Sequence, residues 1–131
     1  MRDLSECTIL IVDDAEANVD ILVDILGEDY EVAVAMDGES ALELVHEEQP
    51  DLILLDIMMP GMDGYEVFKR LKDNPATAHI PIIFLTALTE EDDKKKGLGM
   101  GEVDYIAKPF QASEIRSKVK KHLMAHLSVN G

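Results

Sequence analysis

The sequence predicts a single α/β domain built on a five-stranded parallel sheet with helices on both faces. Five short apolar runs rich in Val, Ile and Leu alternate with segments whose apolar residues recur at helical spacing. Most of these runs are almost continuously apolar, which is typical of parallel strands buried on both sides. Because strands and helices alternate, consecutive strands are joined by right-handed crossovers, and the expected architecture is a doubly wound sheet.

The apolar runs and the turn residues between them place the strands. We predict strands at about residues 8–12, 31–35, 51–55, 81–85 and 103–106. Together with the helices between them, the strands are expected to form one domain over residues 1–131, with its core at about 8–127 and with no output domain in this chain.

Apolar stripes predict four of the five helices. The first stripe ends at Gly27, a residue type that commonly follows helices, and the second opens after Asp37 and Gly38. The fourth helix falls in the segment T-E-E-D-D-K-K-K-G-L-G-M-G, whose three glycines and thin apolar face predict the loosest helix. The stripes of the first, second, third and fifth helices are Val19, Leu22, Val23, Ile25 and Leu26; Ala41, Leu42, Leu44 and Val45; Tyr65, Val67, Phe68 and Leu71; and Ile115, Val119, Leu123 and Leu127.

Composition narrows the function classes. The net charge is −15, from 12 basic and 27 acidic residues, which opposes direct binding to nucleic acid or to anionic membranes. A single cysteine, Cys7, and the lack of a long apolar segment favour a cytoplasmic location. A protein or a cation is the expected partner.

Reactive polar side chains stand at the ends of four predicted strands. Asp13 and Asp14 follow the first, Asp56 the third, Thr86 the fourth and Lys108 the fifth. The carboxyl ends of parallel strands meet at one edge, so these side chains are expected to converge there. Converging carboxylates favour a hard cation such as Mg²⁺, and a carboxylate can act as a nucleophile toward a phosphoryl group. A hydroxyl and an ammonium would stabilise the transferring oxygens.

The motifs D-D, D-I-M-M-P-G-M-D-G, T-A and Y-I-A-K-P-F, in this order, resemble the response-regulator receiver domains of two-component signalling. The resemblance runs from about Thr8 to Leu127. It implies the flavodoxin-like strand order 2-1-3-4-5, which is the order of the chemotaxis receiver. The turn Asp63-Gly64 would lead into the third helix.

The resemblance also implies a metal site and a phosphoryl acceptor. Asp56 would accept the phosphoryl group. Asp14 would bind Mg²⁺ directly, Asp13 mainly through water, and the backbone carbonyl of Met58 would be a further ligand. The carboxylate of Asp56 would itself be the last ligand of the metal ion.

Two further residues would bind the phosphoryl group and transmit its presence. Thr86 and Lys108 would hold the phosphoryl oxygens, and the peptide bond between Lys108 and Pro109 would be cis. Thr86 and Tyr105 would form a switch that changes the surface made by the fourth helix, the fifth strand and the fifth helix. The implied partners are a histidine kinase or a histidine-containing phosphotransfer protein, and an effector or second copy bound through that surface.

Two other functions would require different residues. A hydrolase with an aspartyl-phosphate intermediate, of the haloacid dehalogenase type, would need a second carboxylate where Met58 stands. A docking module independent of phosphorylation is expected when the acidic pair or the lysine is lost, and both are present. The helical spacings of His122 with His126 and of Glu43 with His46 are interpreted as solvated helix surface instead of metal sites.

Overall fold

A five-stranded, fully parallel sheet forms the centre of the molecule. The computed structural model describes residues 6–59, 61–86 and 104–130. In spatial order the strands are β2-β1-β3-β4-β5, so the predicted fold class and strand order are confirmed. The strands are β1 (Thr8–Val12), β2 (Glu31–Ala35), β3 (Leu52–Asp56), β4 (Ile82–Thr86) and β5 (Asp104–Ala107).

Four helices are described, and all four were predicted. They are α1 (Glu16–Leu26), α2 (Gly38–Glu48), α3 (Gly64–Asp73) and the C-terminal helix (Ala112–Asn130). The predicted fourth helix lies outside the described residues. None of the helices in the described ranges combines the length and the apolar character that crossing a membrane requires.

Strands β3 and β4 begin one residue later than predicted. Just before β3, the Asp51 side chain accepts a hydrogen bond from the Thr8 amide at 2.9 Å, and the Asp51 amide donates to the Thr8 carbonyl at 2.8 Å. Pro81 has no amide hydrogen to donate, and its carbonyl accepts from Ile53 at 3.0 Å just before β4 begins. Both strands also end one residue later than predicted, so Asp56 and Thr86 are the last residues of their strands and not the residues after them.

The side chains of successive strand residues pack into two separate hydrophobic cores, one on each face of the sheet. Ile9 and Ile11 of β1 pack with α1 and the C-terminal helix, whereas Leu10 and Val12 pack with α2 and α3. This alternation explains why β1, β3 and β4 are apolar along nearly their whole length, since both faces of the sheet are covered there. The central strands β3 and β4 are buried along their whole length.

Two helices that lead away from the carboxyl edge of the sheet are capped by aspartates. The Asp37 side chain accepts from the Ser40 amide at 2.8 Å at the start of α2, and Asp63 accepts from the Glu66 amide at 2.9 Å at the start of α3. Both satisfy amides that the first helical turn leaves without a partner. The capped start of α3 fixes one end of the loop that follows β3.

Candidate functional site

Sheet register brings the three aspartates together. Val12 of β1 is level with Leu55 of β3, so Asp13 stands beside Asp56 at the carboxyl edge. One carboxylate oxygen from each of Asp13, Asp14 and Asp56 lies within 4.8 Å of the others. Asp13 and Asp56 are buried and Asp14 is exposed, so the cluster opens to solvent on one side.

The two oxygens of Asp13 have different surroundings. Oδ1 accepts a hydrogen bond from the Ala15 amide at 2.9 Å, just before α1, so this carboxylate does serve as a turn former. Oδ2 is buried and accepts no hydrogen bond from the part of the chain that the structure describes; the Lys108 Nζ atom lies 3.8 Å away. A buried carboxylate oxygen without a hydrogen bond is costly, and a ligand that supplies a positive charge would remove that cost.

Asp56 is 2% exposed, and its Oδ1 accepts hydrogen bonds from Lys108 Nζ at 3.0 Å and from the Met58 amide at 3.3 Å. Burial raises the pKa of Asp56 to about 6, and the nearby negative charge of Asp13 acts in the same direction. The hydrogen bonds from Lys108 and Met58 oppose this increase without cancelling it. The carboxylate is therefore poorly solvated but held in place by its two donors.

The donor set fits Mg²⁺. Three carboxylates supply the hard oxygen ligands that this ion prefers, and the open side at Asp14 leaves room for its waters. Asp13 Oδ2, which accepts no hydrogen bond from the described residues, is available as a ligand atom of that side chain. Met58 directs its amide to Asp56, and its side chain is 64% exposed beside the cluster.

The other predicted site residues lie at the same edge. Thr86 ends β4, is 1% exposed, and its carbonyl accepts from the Lys108 amide at 2.8 Å. The Lys108–Pro109 peptide bond is cis. Tyr105 stands on β5, where its ring stacks on that of the fully buried Phe84 with centroids 5.8 Å apart. The structure thus places every predicted site residue at or near the carboxyl edge of the sheet.

The sequence did not predict the close contact between the start of α3 and the main chain of Asp56. Gly64, the first residue of α3, donates from its amide to the Ile57 carbonyl at 3.0 Å. A Cβ atom on Gly64 would lie 2.3 Å from the Asp56 carbonyl oxygen and 2.9 Å from the Ile57 Cα. The motif indicated only a turn here, whereas the glycine is needed because the start of α3 contacts the main chain of Asp56 and Ile57.

The interpretation of His122 and His126 as solvated surface was wrong. The ring of His122 is half-buried, and its Nε2 lies 2.9 Å from Asp104 Oδ2. His126 is 11% exposed, stacks on His79 and lies 3.9 Å from Asp51. Spacing along the helix could not reveal these carboxylates because they belong to other elements.

Glu43 and His46 are exposed, as expected, and the aspartate trio is the one metal-ligand group found among the described residues.

Comparisons with known proteins identify the family. Residues 9–120 match the family described as "Response regulator receiver domain". The chain is 46% identical over 123 residues to a Vibrio cholerae protein named "Probable cyclic di-GMP phosphodiesterase", covering 94% of this chain and 28% of that protein. It is 47% identical over 113 residues to the response regulator PleD of Caulobacter vibrioides, covering 86% of this chain and 25% of that protein.

A solved structure agrees with this assignment. The receiver domain of a sensor histidine kinase from Pseudomonas aeruginosa has a TM-score of 0.82 and 29% identity, with 90% of this chain and 98% of that chain covered. It contains a magnesium ion coordinated in its active site cleft.

The chain belongs to the family of response regulator receiver domains, and its function class is phosphorylation-based signalling. It spans about a quarter of the length of the two curated relatives.

Proposed function

We propose that this receiver domain accepts a phosphoryl group on Asp56 and that the modified aspartate changes the surface of the domain. The single observation that carries the proposal is the position of the Asp56 carboxylate, buried between two further aspartates and the Lys108 ammonium. The donor would be a phosphohistidine of a kinase or of a phosphotransfer protein.

The chemical step is a displacement at phosphorus. Both hydrogen bonds to Asp56 from the described residues end on Oδ1, so Oδ2 is the oxygen left to attack. A bond forms between Oδ2 and phosphorus while the bond between phosphorus and the donor nitrogen breaks, and the electron pair of that bond leaves with the imidazole. Lys108 then offsets negative charge on the transferred group, and Thr86 donates a hydrogen bond to one of its oxygens.

Asp13, Asp14, Asp56 and the backbone carbonyl of Met58 would hold Mg²⁺. When bound, the ion neutralises charge on the phosphoryl oxygens and on the carboxylates themselves. The domain catalyses only its own phosphorylation and dephosphorylation. Met58 leaves no second carboxylate at the position where an aspartyl-phosphate hydrolase needs its general acid and base.

Signal transmission would begin at Thr86. Recruitment of its hydroxyl by the phosphoryl group vacates space beside β5, and the Tyr105 ring, which already contacts Phe84, takes a different position. Such a change shifts the population of two arrangements of the surface that includes the fifth strand and the C-terminal helix. The segment 87–103, which contains the predicted fourth helix of this surface, lies outside the described residues. An effector or a second copy of the chain would bind to the surface that includes the fifth strand and the C-terminal helix.

Labelling with acetyl phosphate and Mg²⁺, followed by peptide mass mapping, tests the acceptor. We expect a single phosphoryl group, located on Asp56, and no labelling of Asp56→Asn. Asp14→Ala should also prevent labelling because it removes a metal ligand.

Asp63→Asn is the matched control. It changes an aspartate of the same loop while keeping a side chain that can cap α3, so labelling should continue. Phosphate mapped to another residue, or full labelling of Asp56→Asn, would contradict the proposal.

A further inference from the structure

The exposed faces of two neighbouring helices carry opposite charge. α1 contains Glu16, Asp20 and Asp24 and no basic residue. On the C-terminal helix the exposed charges are Arg116, Lys120 and Lys121. In a chain with a net charge of −15, this is a local concentration of basic residues. Both helices cover the same side of the sheet and contact each other through one core.

Within the part of the chain that the structure describes, these opposite charges are not paired with each other. Among the described residues, no ion pair joins Asp20 or Asp24 to Arg116 or Lys120; the ion-paired groups of the C-terminal helix are Lys118, His122 and His126, which bind carboxylates at the sheet. Each charged face also carries an exposed apolar side chain. Ile21 of α1 is 45% exposed, and Met124 of the C-terminal helix is 55% exposed. An apolar residue among charges of one sign is typical of a contact surface.

We propose that this side of the domain binds a second copy of the chain in a two-fold symmetric dimer, with the acidic face of α1 on the basic face of the partner's C-terminal helix. In a two-fold contact the same surface is used by both copies, so one arrangement forms the acidic-to-basic contact twice. Charge complementarity selects a second copy as the occupant because one surface contains both halves of the contact.

Topology determines the direction of the symmetry axis. α1 and the C-terminal helix each return from the carboxyl edge of the same parallel sheet, so they run in the same direction. A two-fold axis parallel to the helices places α1 over the partner's C-terminal helix. An in-plane axis perpendicular to the helices places α1 over the partner's α1, with acidic residues against acidic residues.

The positions of the charges along the helices agree with the parallel axis. Asp20 and Arg116 are each the fifth residue of their helix, and Asp24 and Lys120 are each the ninth. Since both helices start near the same edge, these pairs lie at similar heights in the dimer. At physiological ionic strength the Debye length is about 8 Å, so repulsion between the two acidic molecules is screened more than contacts at ion-pair distance.

Sedimentation velocity over a concentration series tests the proposal. The variants are Asp20→Lys with Asp24→Lys, which makes both faces basic, and Arg116→Glu with Lys120→Glu, which makes both acidic. We expect each variant alone to self-associate at least about tenfold more weakly than the parent. An equimolar mixture of the two should form a dimer at least as strong as the parent, because a fully basic surface then meets a fully acidic one.

Matched controls separate this contact from general charge effects. Glu43→Lys with Glu47→Lys on α2, and Lys69→Glu with Arg70→Glu on α3, make the same charge changes on exposed residues of the other side of the sheet. Both should associate like the parent. Asp56→Asn should do so too, so the result does not depend on the phosphorylation proposal. If a charge-reversal variant unfolds, the neutralising substitutions Asp24→Asn and Lys120→Gln replace it, and each should weaken self-association less than the reversal does.

Three results would overturn the proposal. They are a parent chain that stays monomeric at the highest concentration reached, a loss of association in the α2 and α3 controls equal to that in the test variants, and a mixture that fails to associate more strongly than either variant alone.

Discussion

At the scale of single residues, Asp56 combines two properties that oppose each other. It is almost fully buried, which disfavours its charged form, yet its proposed role requires a carboxylate. Lys108 and the Met58 amide stabilise the charge on one oxygen, while Asp13 destabilises it. The balance leaves the pKa of Asp56 near 6, above its ordinary value of 3.8. A cation at the cluster would shift that balance toward the charged form.

The raised pKa predicts a specific pH dependence of stability in the metal-free protein. The folded state holds a proton on Asp56 that the unfolded state has lost, so stability falls as the pH rises from about 4 to about 6. The rise of the Asp56 pKa from 3.8 to about 6 on folding corresponds to roughly 3 kcal/mol at most. Asp56→Asn removes this loss, so it should be more stable than the parent at pH 8 by up to roughly that amount and nearly equal to it at pH 4.

Urea denaturation with a chelator at both pH values measures this difference. Asp63→Asn, which keeps the cap of α3, should leave the difference between the two pH values close to that of the parent. A stability difference between Asp56→Asn and the parent that is the same at pH 4 and pH 8 would contradict the prediction.

Residue-level chemistry was only partly predictable from the sequence. The positions of Asp13, Asp14, Asp56, Thr86 and Lys108 at strand ends were sufficient to predict that they converge, because parallel strands share a carboxyl edge. Which oxygen of Asp13 is left without a donor among the described residues depends on the exact turn into α1, and that is a property of tertiary geometry.

At the scale of elements, apolar periodicity located the described strands and helices, and it placed the starts of β3 and β4 one residue too early, at Asp51 and Pro81. Periodicity reports which face of an element is buried, but it does not report how closely two elements approach. The start of α3 is an example, since only the three-dimensional contact of Gly64 with the Asp56 main chain explains why no side chain fits there.

This contact predicts the effect of Gly64→Ala. The added Cβ must displace the main chain of Asp56 or the start of α3, which should destabilise the fold by roughly 1–3 kcal/mol. It should also slow labelling of Asp56 by acetyl phosphate, because the acceptor moves relative to Lys108. Stability and labelling rate are measured separately, by urea denaturation and by mass spectrometry over time.

Gly38→Ala is the matched control for an added methyl group. Gly38 is also the first residue of its helix, and a Cβ there would contact the side chains of Val67 and Met62 at 2.9 and 3.0 Å. It should therefore change stability without a comparable change in labelling rate. Equal effects of the two substitutions on labelling would mean that the approach of α3 does not position Asp56.

At the scale of the whole molecule, acidic charge is abundant, and three of the carboxylates converge at the carboxyl edge of the sheet. The net charge of −15 adds a general repulsion to the local repulsion among the three converging carboxylates. Both should be relieved by divalent cations, the first by screening and the second by binding at one site. The two effects differ in their dependence on individual aspartates, so substitutions can separate them.

Mg²⁺ should therefore stabilise the folded protein by mass action. At a concentration ten times the dissociation constant the gain is about 1.4 kcal/mol, enough to raise the melting temperature by several degrees. Asp14→Asn should abolish most of the increase because it removes a ligand from the cluster, whereas Asp24→Asn, which removes the same charge from the exposed face of α1, should retain it. Melting curves in Mg²⁺ and in NaCl of equal ionic strength distinguish binding from screening. If NaCl produced the same increase, or if the two variants responded alike, the cation would be acting on the total charge and the proposed ligand set would be wrong.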